Sequence, residues 1–227
     1  EIISIMDAHF DPMLQKIQLE SIQLQNPDAV IAIPVDDIET SSAFEELSKH
    51  TRVILLSNIP KGFNKNNYVS CISVDEHENG YNIGHMIGDY LENKAIKNTA
   101  LITHGANFYG TSERDSTVLK TLLTYYPSVN VVAQKNFYSI ENTYSICSDL
   151  INAHPEISSL YVSWDQPALL AIKALDKLNR KDIAVFTTDL DYEIAEKMKE
   201  GIVKGISTQR PYEQGQAAGR VLAKSLV

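Results

Sequence analysis

Polar and aromatic residues recur where short apolar runs end: Asp7, Asp36, Ser57 with Asn58, Asp75, His104, Tyr138, Trp164 with Asp165, Asp189 and Gln209. Arg114 falls in the first turn of an expected helix. Carboxylate, amide and guanidinium groups hydrogen-bond in pairs, while a phenol or indole ring offers an apolar face. A sugar or small polyol needs both, since its hydroxyls donate and accept while its C–H face lies on an aromatic ring. Such a site is also selective, because an absent or inverted hydroxyl leaves its partner buried and unpaired. Asp75 and Asp165 each stand at the start of an expected helix and fit the role of caps. Asp189, Gln209 and Arg114 do not fit that role.

Covalent chemistry finds less support. There is no Gly-x-Ser-x-Gly elbow, no His-Glu-x-x-His and no Gly-x-x-x-x-Gly-Lys loop. The segment Asp7-Ala8-His9-Phe10-Asp11 after the first apolar run has no glycine for a dinucleotide's pyrophosphate. His104-Gly105 and Asp75-Glu76-His77-Glu78 lack a second histidine at helical spacing, so neither metal nor cofactor is expected, and the latter run is expected to be a solvated acidic face. Cys71 and Cys147 are far apart and are expected to be two buried free thiols.

The elements that must position these residues are legible from periodicity. Runs rich in Ile and Val alternate with helical-period stretches, which predicts parallel sheets with crossover helices. Strands are expected at 1–6, 29–33, 52–56, 68–74, 99–103, 130–133, 158–162, 182–186 and 203–208. Helices are expected at 12–25, 40–49, 78–92, 112–125, 141–153, 166–178, 192–199 and 212–226. Asp11-Pro12 supplies a cap and a first-turn proline, and Asn26-Pro27 closes the same helix. Between residues 58 and 67 two strand-like runs follow one another without a helix, where a first sheet hands the chain on towards a second.

The 227 residues are 44% hydrophobic and 22% charged, which excludes collagenous, disordered and disulfide-scaffold classes. A formal charge of -9 makes DNA an unsuitable direct partner. No apolar run approaches the ~18 to 20 residues of a membrane span, so no membrane insertion of this segment is expected. The opening Glu1-Ile2-Ile3-Ser4-Ile5-Met6 has no basic region or cleavage site of a signal peptide, and the chain is expected to be a segment of a longer one.

An ordered series of landmarks resembles a known family. They are Asn26-Pro27-Asp28-Ala29-Val30-Ile31-Ala32-Ile33-Pro34-Val35-Asp36, Val74-Asp75 with Gly80, and Ala153-His154-Pro155-Glu156-Ile157. Then come Trp164-Asp165-Gln166-Pro167-Ala168 with Ala174-Leu175, Thr187-Thr188-Asp189, and Thr208-Gln209-Arg210-Pro211-Tyr212-Glu213-Gln214-Gly215. Together they resemble the type I periplasmic sugar-binding proteins of the ribose-binding kind, whose fold is shared by the effector domains of lactose-repressor-like regulators.

The resemblance implies an α/β fold of two Rossmann-like, doubly wound parallel-sheet lobes that close on a ligand held in a cleft. The first lobe would comprise residues 1–74 and 210–227, and the second residues 75–209. It implies a ligand-binding set of Arg114, Tyr138, Trp164, Asp165, Asp189, Gln209, Ser57 and Asn58. Ser57-Asn58 replaces the family's usual Asp-Arg pair and Trp164 a usual Asn, which points to a different pentose, a sugar alcohol or another small polyol. The implied function is a non-enzymatic receptor delivering a sugar or polyol to an ABC transporter permease outside the cytoplasm. The alternative is the effector domain of a cytoplasmic regulator behind a helix-turn-helix. The family also carries an opening strand and helix and closing strands that this sequence lacks. The segment is therefore expected to be truncated at both ends, with open edges in its first lobe, a better-folded second lobe and weak ligand binding by itself.

Overall fold

The computed structural model describes residues 1–227. In chain order the elements are α1 (Pro12–Gln23), β1 (Ala29–Ala32), α2 (Ser41–Ser48), β2 (Arg52–Leu56), β3 (Ser70–Ile72), α3 (Glu76–Glu92), β4 (Asn98–His104), α4 (Tyr109–Tyr125), β5 (Asn130–Phe137), α5 (Thr143–Ala153), β6 (Ser159–Val162), α6 (Asp165–Lys177), β7 (Ala184–Thr188), α7 (Tyr192–Lys199), β8 (Val203–Ser207) and α8 (Pro211–Ser225). Two compact units result: residues 1–74, 106–110 and 210–227, and residues 75–105 and 111–209. Residues 106–110 thus group with the first unit rather than with the second, where the expected division put them.

In the first unit β1, β2 and β3 form a parallel sheet in that order. Leu19, Val30, Phe44, Leu47, Val53 and Leu55 build its core. Asp11 caps α1, its Oδ1 accepting from the backbone N–H groups of Met13 and Leu14, and Pro12 occupies the first turn, where a missing N–H costs nothing. The strand expected at 1–6 does not form. Its residues are apolar enough for a strand, but a strand exists only through hydrogen bonds to a neighbour, and none pairs with this segment. Ile5 is accordingly 87% exposed. The strand expected at 68–74 shortens to three residues.

The second unit is a five-stranded parallel sheet in the order β5-β4-β6-β7-β8. Helices cover both faces, so its central strands read as continuous apolar runs rather than alternating ones. Ala100 to Ile102, Leu160 to Val162 and Val185 to Phe186 are buried throughout. On one face Ile83, Ile87 and Leu91 of α3 and Val118 and Leu122 of α4 meet Leu101, Tyr161 and Phe186. On the other, Leu150 and Ile151 of α5 and Ala168, Ala171 and Ile172 of α6 meet Ala100, Leu160 and Val162.

The two helices of the first face pack closely because α3 is notched. A Cβ on Gly80 would lie 2.3 Å from the carbonyl oxygen of Arg114, and one on Gly84 would lie 2.5 Å from Cβ of Thr121. Residues four apart share one helix face, so Glu76 heads the same stripe and is carried against α4.

Candidate functional site

The sheet order of the second unit sets its strand ends in a row: Tyr138 after β5, His104 and Gly105 at β4, Ser163 to Asp165 after β6, Thr188 and Asp189 at β7, and Gln209 after β8. Arg114, on α4, is the centre of this row. It is 2% exposed. Its Nε and Nη2 donate to the two carboxylate oxygens of Glu76 at 2.8 and 2.9 Å. Its Nη1 donates to the carbonyl of Ser163 at 3.1 Å and to Oγ1 of Thr188. Four of the five guanidinium N–H groups are thereby used. Burial alone would lower the pKa of Arg114, but the bonds and charge of Glu76 outweigh it, and the net shift is upward. The guanidinium therefore keeps its proton.

Asp189 lies 3.7 Å from Nη1 of Arg114 and accepts hydrogen bonds from Gln209. Burial raises its pKa, against the lowering influence of Arg114 and Gln209. Its backbone is left-handed, at φ +64°, and its N–H donates to the carbonyl of Ser207 on β8 at 2.9 Å. Asp165 is half-buried beside it, with a pKa raised first by burial and then by Asp189 and Asp191. The expectation that Asp165 caps α6 is corrected: Trp164 is the capping residue, without a side-chain bond, and Asp165 stands one residue inside, accepting from the N–H of Gln166 at 2.7 Å. Asp75 does cap α3, accepting from the N–H of Glu78.

The two aromatic residues differ. Trp164 is 8% exposed, with its ring centroid 5.0 Å from those of both Phe137 and His104, and joins the core beneath the strand ends. Tyr138 is 71% exposed and lies over Gly105, where an added Cβ would come within 2.6 Å of its ring. Ser57 and Asn58 belong to the first unit. Ser57 is left-handed at φ +67°, its N–H donating to the carbonyl of Ile72 at 2.9 Å. Asn58 is buried and spends its amide donors on the carbonyl of Pro34 at 3.0 Å and Oδ1 of Asp37 at 2.7 Å, which fixes the loop after β1.

Four residues of this arrangement were not anticipated: Glu76, Asp115, Ser163 and Thr188. Glu76, expected on a solvated acidic face, is 5% exposed and is the principal partner of Arg114. Its place on the stripe of Gly80 and Gly84 is the signal that could have found it. Asp115 accepts from Tyr161 Oη at 2.7 Å, from Ser163 Oγ at 2.8 and 2.9 Å, and from the N–H of His104 at 2.9 Å. It therefore holds the strand whose Ser163 carbonyl receives Arg114. Burial pushes the Asp115 carboxyl up to about 6 and the His104 imidazole down to about 4. Of the two cysteines, Cys147 is buried, whereas Cys71, expected to be buried, is only partly so.

Parallel sheets wound on both faces, with a hydrogen-bonding cluster at the strand ends of the second unit, define the class: an α/β protein of the type I periplasmic binding protein fold. The family described as periplasmic binding protein domain matches residues 1–227, and the chain belongs to it. Solved structures agree on the fold. A carbohydrate transporter solute binding protein from Agrobacterium radiobacter, in complex with D-arabinose, has a TM-score of 0.87 at 22% identity, over 96% of this chain and 75% of that one. An ABC transporter solute binding protein from Agrobacterium vitis, with bound D-fucose, has a TM-score of 0.87 at 14% identity, over 97% and 76%. One from Mycobacterium smegmatis, with bound glycerol, has a TM-score of 0.84 at 19% identity, over 96% and 75%.

Proposed function

We propose that this chain is the ligand-capturing part of a receptor for a sugar or small polyol, serving an ABC-type importer outside the cytoplasm through that importer's permease. The observation that carries this reading is the cluster of Arg114, Asp189 and Gln209 at the strand ends of the second unit. Asp189 is a carboxylate largely withdrawn from water and held by Gln209 and Arg114, so hydroxyls that donate to it would replace lost hydration. The remaining N–H of Arg114 suits a hydroxyl oxygen, and the exposed ring of Tyr138 suits a C–H face. Binding of this kind makes and breaks no covalent bond, and the receptor is read as non-enzymatic.

The relatives named above support the receptor over the regulator's effector domain, since each is a transporter component. No helix of the chain is long and apolar enough to cross a membrane. Calorimetric titration of the full-length protein with D-arabinose, D-fucose, glycerol and related sugars and polyols tests the proposal, and saturable heat with at least one is expected. Asp189→Ala should weaken that binding by about 2 to 5 kcal/mol, because the ligand hydroxyls and Gln209 lose a charged acceptor in a partly desolvated place. No heat with any compound would refute the reading, and unchanged affinity in Asp189→Ala would take that residue out of the site.

A further inference from the structure

An arginine at a sugar site invites the expectation that the site favours anions, and here the geometry removes it. Both carboxylate oxygens of Glu76 sit on Nε and Nη2 of Arg114, and Nη1 is turned to Ser163 and Thr188. The pair is deeply buried, with side-chain exposures of 3% and 4%, so water does little to screen it. The guanidinium charge is thus neutralised from within the protein before any ligand arrives. The charges remaining at the strand ends are carboxylates: Asp189, 3.7 Å from Arg114, then Asp165, and Asp191 beyond it. Asp189 and Asp191 both act on Asp165 as like charges.

We propose that Glu76 sets the charge specificity of this site: by occupying Arg114, it makes the site reject sugars that carry a carboxylate or phosphate and accept uncharged or amine-bearing ones. The inference rests on the sugar-receptor reading and narrows its ligand class. A carboxylate or phosphate brought beside Asp189 and Asp165 meets like charge in a partly desolvated setting, with one guanidinium N–H to offset it. An ammonium in the same place meets opposite charge on Asp189 and Asp165. Glu76 acts through Arg114, as a positioning and charge-cancelling residue, and touches no ligand itself.

The test is a matched series measured by calorimetry: D-arabinose against D-arabinose 5-phosphate, and D-galactose against D-galactosamine and D-galacturonate. In the natural protein the acid or phosphate should bind on the order of 100-fold more weakly than the uncharged sugar of the same skeleton. The amine should bind at least as tightly as the uncharged sugar. Glu76→Gln, which keeps an acceptor oxygen but removes the charge, should narrow the gap by about tenfold or more. Glu76→Asp, which keeps the charge, should preserve it. An acid or phosphate bound as tightly as its uncharged counterpart, or a gap unmoved in Glu76→Gln, would overturn the inference while leaving the receptor reading intact. Should Glu76→Gln fail to fold, the natural protein and Glu76→Asp decide the matter by the same ratios. Absence of binding throughout a wider sugar panel would instead bring down the receptor reading, and this inference with it.

Discussion

Replacing Arg114 by methionine isolates what the buried ion pair contributes. The side chain of Glu76 is 4% exposed, and with Arg114 gone its remaining hydrogen-bond partner is the Nδ2 amide of Asn79 at 3.1 Å. An uncompensated carboxylate in that position should destabilise the second unit by about 3 to 5 kcal/mol. The other partners of Arg114 do not add much, because the carbonyl of Ser163 still receives Oγ1 of Thr188 at 2.6 Å and Asp189 keeps Gln209 and is 27% exposed to water. The double replacement Glu76→Met with Arg114→Met removes the stranded charge and should recover most of the loss, since apolar pairs in such sites are often neutral or stabilising. The protein has one tryptophan, Trp164, next to Ser163, so its fluorescence in urea reports unfolding at the strand end concerned. A loss below about 1 kcal/mol in Arg114→Met would refute the reasoning, as would a double variant as unstable as the two single ones summed.

Three further predictions concern the second unit. Asp115 and His104 should tilt the pH dependence of stability in opposite directions. The Asp115 carboxyl, raised from 3.8 to about 6, binds protons in the folded state that the unfolded chain has released, so its contribution is present below pH 3.8 and lost as pH rises to 6. The His104 imidazole, lowered from 6.5 to about 4, contributes stability above pH 6.5 that is lost as pH falls to 4. Urea midpoints between pH 4 and 6 should therefore rise with pH more steeply in Asp115→Asn than in the natural protein and fall with pH in His104→Gln, each change limited to about 1.4 kcal/mol per pH unit; parallel profiles would contradict both assignments. Gly80→Ala should destabilise by about 1 to 3 kcal/mol in spite of alanine's better helix propensity, because the obstructing atom is the Arg114 carbonyl oxygen and backbone yields little. Equal or greater stability in denaturant would show that α3 and α4 separate freely. Finally, burial pushes the Cys147 thiol up to about 12, so a thiol reagent at pH 8 should label the half-buried Cys71 first; equal labelling of the folded protein would count against the packing of α5.

The alternation of strands and helices was legible because each segment's periodicity is a local property. The apolar runs that became β4, β6 and β7 and the signals at Asp11 and Pro12 carried their meaning within a few residues. The run at 1–6 shows the limit, since an apolar pattern says what a strand would look like and not whether a partner edge is there to receive it. Side-chain partnership was harder still. Glu76 and Arg114 are 38 residues apart, and a run of acidic residues beside a histidine has the composition of a solvated surface. Gly80, Gly84 and Gly88 at four-residue spacing were the local trace of that contact, since three glycines on one helix face mark where a neighbouring helix passes closely, here the Arg114 carbonyl, the Thr121 side chain and the Tyr126 ring. Asp165 failed as a cap for a smaller reason: the helix began one residue earlier than its capping pattern suggested, and a one-residue shift moves a side chain from the cap into the first turn.

Ser57 and Asp189 have in common that each turns the chain just beyond a strand and that each does so in a conformation glycine would adopt without strain. A side chain there costs about 1 to 2 kcal/mol of backbone energy. Because glycine would relieve that strain at a stroke, whatever keeps a hydroxyl at one turn and a carboxylate at the other must act through the side chains themselves. A screen for thermostability alone would be drawn towards glycine at both positions, and the variants it returned would lack the Ser57 hydroxyl and the Asp189 carboxylate.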